Sequence, residues 1–340
     1  MLSNKKYRGN VTLEEIKNEI LKAKNIILTA HTNPDGDALG SVLAFLLMLE
    51  EYNKKFIKNL SDMKKIRIII DDELPKYMEK FEKSSIIERY DDTLMNEKAD
   101  LFISLDCANV ERYGRVLEIK KNCKKSVNID HHISNTEHAD LNYVEDVSST
   151  GELIYQFLEL FDIGLTKEIA DFIYLGIIND TGNFRHDNVT SNTFKVCSEL
   201  MKAGADNHRV ANIIFAMGRK KVSLFGDVYK NNKMIEKYNF IYYYLSQEKM
   251  KSFGIEKEDT DGIAELLLKI EDSELSLFVR EEENGTFKGS LRCNDRYNVN
   301  EIASIFNGGG HIKAAGFKTD LPFAEILEKI LKKLEKYEVG

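Results

Sequence analysis

Three potential metal ligands fall within seven residues, HTNPDGD at 31–37, directly after the apolar run NIILTA. His31, Asp35 and Asp37 are the candidates. Two carboxylates this close repel one another unless a positive charge lies between them. Acids and imidazoles recur at comparable places along the chain. The run LFISL ends in Asp106, SVNI ends in Asp130-His131-His132, and Asp180 lies in IINDTGNF. Crowded carboxylates need cations. Mixed carboxylate–imidazole ligation without thiolate suits manganese, magnesium or iron better than structural zinc. Two ions about 3.5–4 Å apart would use this many ligands and would suit phosphoryl chemistry. Any single piece has a bland reading, such as an aspartate capping a helix at 37. The full set, each member at the end of an element, does not.

Such a cluster needs elements that bring distant residues to one edge. Residues 25–30 read as a strand. Residues 37–52 carry Ala38, Leu39, Val42, Leu43, Leu46 and Leu49 at helical spacing. Residues 65–70, 101–105 and 126–129 are further strand-like runs. Ser149-Thr150-Gly151-Glu152 fits a capping box before an apolar helix over 153–161, and 168–178 repeats the helical pattern. This alternation predicts a parallel α/β sheet, in which ligands gather outside the carboxyl ends of the strands. Residues 197–227 are helical and more polar and read as an interdomain connection. Beyond them, 240–245, 274–280 and 286–292 look like strands of a mixed sheet, flanked by helices over 262–269 and 323–337. The predicted division is a catalytic domain over 1–196, a helical linker over 197–227 and a smaller mixed-sheet α/β substrate-binding domain over 228–340.

With 340 residues, 43% of them hydrophobic and 31% charged, the chain can form two globular cores. No apolar run approaches the roughly 18 residues of a membrane span, and the N-terminus lacks the apolar segment of a secretory signal. The four cysteines show no paired spacing, which suits a reducing cytoplasm. A net charge of −8 argues against a groove for long nucleic acid, which would use a basic surface, and favours a small anionic ligand in a local pocket.

The segments H-x-x-x-D-x-D at 31–37, Asp106, Asp130-His131-His132 and G-I-I-N-D-T-G at 176–182 resemble the four motifs of DHH-type phosphoesterases. The stretch SLRCNDRYNVNEIASIFNGGGHIKAAGF resembles the DHH-associated C-terminal domain, marked by GGGH and A-A-G. Within that superfamily the chain is most similar to the NrnA-like branch of short oligoribonucleases and 3′-phosphoadenosine-5′-phosphate (pAp) phosphatases. The resemblance implies one metal held by His31, Asp35 and Asp106, and a second held by Asp37, Asp106, His131 and Asp180. The ions would be two Mn2+, with Mg2+ or another divalent metal as the alternative. Asp130 would orient a histidine, and His132 would face the substrate phosphate. Cys107 and Asn109 stand where the family often has small or hydroxylated residues, and Cys293 and Asn307 replace a commoner serine and glycine.

Glycines let backbone approach a ligand closely, and an arginine can hold phosphate through two bonds. On this basis and by resemblance, Arg292, Gly309, Gly310 and His311 are candidate nucleotide contacts, with Arg112 a further one. The implied activity is hydrolysis of very short RNA to 5′-mononucleotides and of pAp to AMP and phosphate. The alternative is a phosphodiesterase of linear or cyclic dinucleotide messengers such as pApA and c-di-AMP. A manganese pyrophosphatase would lack the GGGH element, and a RecJ-like exonuclease would need further domains. A catalytically dead nucleotide sensor would have lost ligands that are all present here. A homodimer is compatible with the resemblance, and the oligomeric state is left open.

Overall fold

The computed structural model describes residues 7–337. The chain divides into two compact units, Met1–Ala216 and Met217–Gly340. In chain order the first unit contains β1 (Tyr7–Gly9), α1 (Leu13–Lys22), β2 (Asn25–Thr29), α2 (Gly36–Phe56), β3 (Lys65–Ile70), β4 (Ile87–Arg89), β5 (Leu101–Leu105) and α3 (Leu117–Lys121). There follow β6 (Ser126–Asp130), β7 (Leu141–Glu145), α4 (Thr150–Leu160), α5 (Lys167–Asp180), α6 (Ser191–Lys202) and α7 (Asn207–Ile214).

Seven strands form one sheet in the order β1-β7-β6-β5-β2-β3-β4. Every pairing is parallel except that of the edge strand β1 with β7. The apolar strands β5 and β6 are buried along their whole length, as expected where helices cover both faces of a sheet. Helix α2 is buried from Gly36 through Leu49. A Cβ at Gly40 would lie 2.4 Å from the Phe172 carbonyl oxygen, so glycine is what lets α2 and α5 pack backbone to backbone. Each fully buried leucine or isoleucine in this core contributes about 1.5–3 kcal/mol.

The predicted strands at 65–70 and 101–105 form over those residues. Helix α4 starts at Thr150, three residues earlier than predicted, and its cap is half a box. Ser149 Oγ accepts the Glu152 N–H at 3.2 Å, but the Glu152 carboxylate is taken by Ser148 Oγ at 2.6 Å and Thr193 Oγ1 at 3.2 Å. Strands β1, β4 and β7 carry no predicted counterpart. Two of them have three residues, too short for a period to show. The segment read as a connection is shared between the units. Cys197, Leu200, Val210 and Ile213 join the first core, whereas Leu224 joins the second unit.

The second unit contains α8 (Arg219–Asn231), β8 (Lys233–Ile235), β9 (Phe240–Leu245), α9 (Gln247–Phe253), α10 (Ile263–Leu268), β10 (Leu275–Glu281) and β11 (Phe287–Cys293). It closes with α11 (Val299–Ala303), β12 (Gly309–Gly310), β13 (Ala314–Thr319) and α12 (Phe323–Leu334). Its six-stranded sheet has the order β12-β13-β11-β10-β9-β8. Only β9 and β10 pair in parallel, so the sheet is mixed. One core includes Ile302 of α11 and Ile326 and Ile330 of α12, and another includes Leu224 of α8, Met250 of α9 and Leu267 of α10.

Candidate metal centre

Strands β6, β5 and β2 are consecutive neighbours in the first sheet, and each is followed within two residues by one that could bind metal. Parallel pairing therefore sets His131, Asp106 and His31 side by side along the carboxyl edge. Helix α2 begins at Gly36, five residues after His31, and its N-terminus brings two more acids. Asp35 is its N-cap and accepts the N–H groups of Asp37 at 3.0 Å and Ala38 at 3.1 Å. Asp35, not Asp37, is thus the capping aspartate. Asp37 is fully buried instead. Asp180 is the last residue of α5.

The ligand atoms converge. His31 Nε2 lies 3.5 Å from Asp106 Oδ2 and 3.9 Å from Asp35 Oδ1. His131 Nε2 lies 3.0 Å from Asp180 Oδ2, 3.5 Å from Asp106 Oδ1 and 3.8 Å from Asp37 Oδ2. Among the described residues three groups could each hold an ion, with the ligand atoms of each group within 4.8 Å of one another: His31–Asp35–Asp106, Asp37–His131–Asp180 and Asp106–His131–His132. Asp106 is buried and sits between both imidazoles, at a backbone φ of +60°. Asn33, Asn183 and Phe184, in the neighbouring loops, also have positive φ. Strained backbone of this kind clusters where a site over-determines the geometry.

The tautomers suit cation binding. His131 Nδ1 lies 3.2 Å from the Val147 carbonyl, so that ring can donate there and turn Nε2 to the acids, whereas His31 Nδ1 faces both the Thr32 carbonyl at 2.8 Å and the Arg112 guanidinium at 2.7 Å. His131 Nε2 is buried and has no hydrogen-bond partner among the described residues. A lone pair facing three carboxylates is a repulsive arrangement that a divalent cation converts into ligation. The donor set is all carboxylate and imidazole, the chemistry of Mn2+, Mg2+ or iron. The residues therefore fit the ions that the sequence implied.

Protonation tells the same story. Burial pushes the Asp37 carboxyl well above its usual range, and the charges of Asp106 and Asp180 push it further. Asp35 is raised by burial and by the same two acids. Burial opposes the charged forms of both histidines, but Asp106 overrides it, so His31 is raised and His131 raised strongly. Burial likewise opposes the Asp106 anion, and the imidazoles of His131 and His31 hold it well below the carboxylate range.

Several supporting residues carry no signal in a ligand motif. The N-terminus of α4 points at Asp37: Thr150 N–H donates to Oδ2 at 2.6 Å and Gly151 N–H to Oδ1 at 2.8 Å. Thr150 Oγ1 also donates to Asp106 Oδ1 at 3.1 Å. The cap sequence at 149–152 marked a helix N-terminus, which is an anion site, but not the anion it serves. Asp130 accepts from His132 Nδ1 at 2.7 Å through Oδ1 and from Asn135 Nδ2 at 2.5 Å through Oδ2. Asp130 thus orients His132, and Asn135 in turn holds Asp130. Arg112 lies against the outer edge of His31, with Nη2 2.7 Å from Nδ1.

On the second unit, Arg292 Nε donates to Glu265 Oε1 at 2.7 Å, and both residues line a cavity of about 250 Å³ with Lys288, Ser290 and Arg280. The glycine run is a strand rather than a loose turn. A Cβ at Gly308 would meet the Gly316 carbonyl at 2.3 Å, and one at Gly310, whose φ is +154°, would meet that of Ala314 at 2.4 Å. Gly309 and His311 are exposed.

Residues 25–177 match the N-terminal domain of the DHH family, and residues 237–339 match the DHHA1 domain. The chain belongs to the DHH family. It is 28% identical over 326 residues to the bifunctional oligoribonuclease and PAP phosphatase NrnA of Thermus thermophilus, covering 94% of this chain and 93% of that one. It is also 28% identical over 301 residues to the protein of that name from Bacillus subtilis, covering 86% and 88%. Among solved structures, an exopolyphosphatase-related protein from Bacteroides fragilis is similar over 95% of both chains, with 27% identity and a TM-score of 0.80. This DHH-family chain is a phosphoesterase of the NrnA-like branch.

Proposed function

We propose that this phosphoesterase hydrolyses very short oligoribonucleotides to 5′-mononucleotides and pAp to AMP and phosphate. The observation that carries the reading is Asp106, placed between the His31–Asp35 pair and the His131–Asp37–Asp180 group. Two divalent cations, manganese in this reading, would be held by His31, Asp35 and Asp106 and by Asp37, Asp106, His131 and Asp180. Such ions supply charge neutralisation on the phosphoryl oxygens and an acidified water.

The chain's own groups do the rest. The N–H groups of Thr150 and Gly151 keep the Asp37 carboxylate in place, and Thr150 Oγ1 does the same for Asp106. Beside Asp130 the His132 ring is held in its doubly protonated form, in which Nδ1–H donates to Asp130 and Nε2–H is the proton handed to the leaving group. Water oxygen joins phosphorus and releases a proton to bulk water, the P–O3′ bond breaks, and the 3′-oxygen takes the proton from His132. In a 5′-phosphorylated dinucleotide this releases two 5′-mononucleotides, and in pAp it releases AMP and phosphate. One site therefore serves both substrates. Arg292, Gly309, Gly310 and His311 are proposed nucleotide contacts of the second unit, and Arg112 a further contact beside His31.

A cytoplasmic location belongs to the same reading. All four cysteines are free thiols, as a reducing compartment requires. No helix among the described residues is long and apolar enough to cross a membrane.

The test is product analysis with Mn2+ on a matched panel of pAp, di- to decaribonucleotides, cyclic di-AMP and pyrophosphate. AMP with phosphate from pAp, and 5′-mononucleotides from dinucleotides, are the expected products. Turnover confined to cyclic di-AMP or to pyrophosphate would overturn the reading.

A further inference from the structure

A cavity of about 400 Å³ opens beside the metal centre on the first unit, lined by Arg8, His131, Ile133, Val144 and Asp146. The sheet register explains its position. Asp130 at the end of β6 pairs with Val144 of β7, and Val144 pairs with Arg8 of the edge strand β1. With strands roughly 4.8 Å apart, the row from Asp130 to Arg8 spans roughly 10 Å, about the width of one nucleoside. His131 belongs to both places, since its ring lines the cavity and its Nε2 faces the acids.

The lining has a definite chemistry. Ile133 directly follows the histidine pair, yet its branched apolar side chain is 70% exposed. Arg8 Nη1 donates to the Ile133 carbonyl at 2.5 Å, its only side-chain hydrogen bond among the described residues. That bond ties a planar guanidinium to the cavity wall. Asp146 is exposed and supplies a carboxylate acceptor. An apolar wall and a flat cation suit the face of a nucleobase, and an acceptor suits a ribose hydroxyl or an exocyclic amine. A bare phosphate would meet Asp146 as a like charge.

We infer that this cavity is a nucleobase subsite for the nucleoside joined through its 5′-oxygen to the scissile phosphate. The inference rests on the proposed function and deepens it. In a dinucleotide that nucleoside is present, whereas in pAp the corresponding position is a terminal phosphate oxygen. The subsite therefore serves RNA and is empty during pAp hydrolysis, which gives each variant an internal control.

The experiment measures kcat/KM with Mn2+ for wild type, Arg8→Ala and Ile133→Asp on three substrates: pAp, a diribonucleotide, and the same dinucleotide lacking its 3′-terminal base. Each substitution should lower kcat/KM on the intact dinucleotide about tenfold, within the range of one base-stacking contact. Each should leave pAp within about twofold, which also shows that the variant is folded. Removing the base should cost the wild type a similar factor and abolish the effect of Arg8→Ala. An undiminished dinucleotide rate, an equal loss on pAp, or an Arg8→Ala penalty that persists without the base would each overturn the nucleobase assignment. A wild type that cleaves pAp but no dinucleotide would instead refute the RNA-hydrolysing reading, and the subsite with it.

Discussion

Gly176→Ala tests whether the metal centre depends on close packing of α5 against Asp37. A Cβ at 176 would lie 2.3 Å from Asp37 Oδ1, roughly 1 Å inside an ordinary carbon–oxygen contact. The carboxylate has nowhere to retreat, because the N–H groups of Thr150 and Gly151 hold it at 2.6 and 2.8 Å. Either Asp37 turns away and gives up two charge-assisted bonds of about 1.5–3 kcal/mol each, or α5 shifts and takes Asp180 with it. Alanine recovers about 1 kcal/mol of helix propensity, so the net destabilisation should be about 2–5 kcal/mol. A displacement of this size at a reacting centre lowers turnover about a hundredfold. The assay combines bound manganese by elemental analysis, kcat/KM on pAp, and urea unfolding. Bound metal should fall from two ions towards one. Gly226→Ala in α8, where a Cβ meets nothing within 4 Å, is the control and should keep full activity with a small gain in stability. A Gly176→Ala protein that binds two ions with kcat/KM within about threefold of wild type would refute the packing argument.

His132→Ala should retain its metal and lose about 10²–10⁴-fold in kcat, while Asn135→Ala should lower kcat about tenfold with KM and metal content unchanged, since it acts through Asp130. Metal loss in step with activity would make His132 a ligand instead. Arg292→Ala and His311→Ala should raise KM for pAp about tenfold and change hydrolysis of bis-p-nitrophenyl phosphate less than about twofold. Equal losses on both substrates would assign these residues to the fold. His138 gives a pH signature in stability. Burial, with Lys120 adding to it, holds its imidazole down at about 4, whereas the unfolded chain takes up the proton near 6.5. Its contribution is therefore complete above about pH 6.5 and is lost as pH falls towards 4. Allowing for partial exposure, the stability of wild type relative to His138→Gln should drop by about 1 kcal/mol between pH 7 and pH 5. No such drop in urea titrations would show that His138 titrates as an exposed residue.

The ligand set was legible in the sequence because metal chemistry restricts residue type, and strand ends are marked by where apolar runs stop. His31, Asp106 and His131 each follow an apolar run, and parallel pairing leaves such ends little choice but to meet. In the mixed second sheet β9, β10 and β11 were legible as apolar runs, whereas β8, β12 and the glycine- and alanine-rich β13 were not. Strand β1 was not, because Arg8 owes its place to a partner more than a hundred residues away. Nor were the roles of Thr150, Asn135 and Gly176. Backbone N–H groups and missing side chains leave no chemical mark in a sequence, and their meaning depends on which carboxylate the fold sets opposite them. The choice between Asp35 and Asp37 as cap was decided by tertiary packing as well. Both residues suit a helix N-terminus, and only the arrival of α4 and α5 around Asp37 draws that carboxylate into the interior. Residue identity determined which chemistry is available, and long-range packing decided which atoms are oriented to perform it.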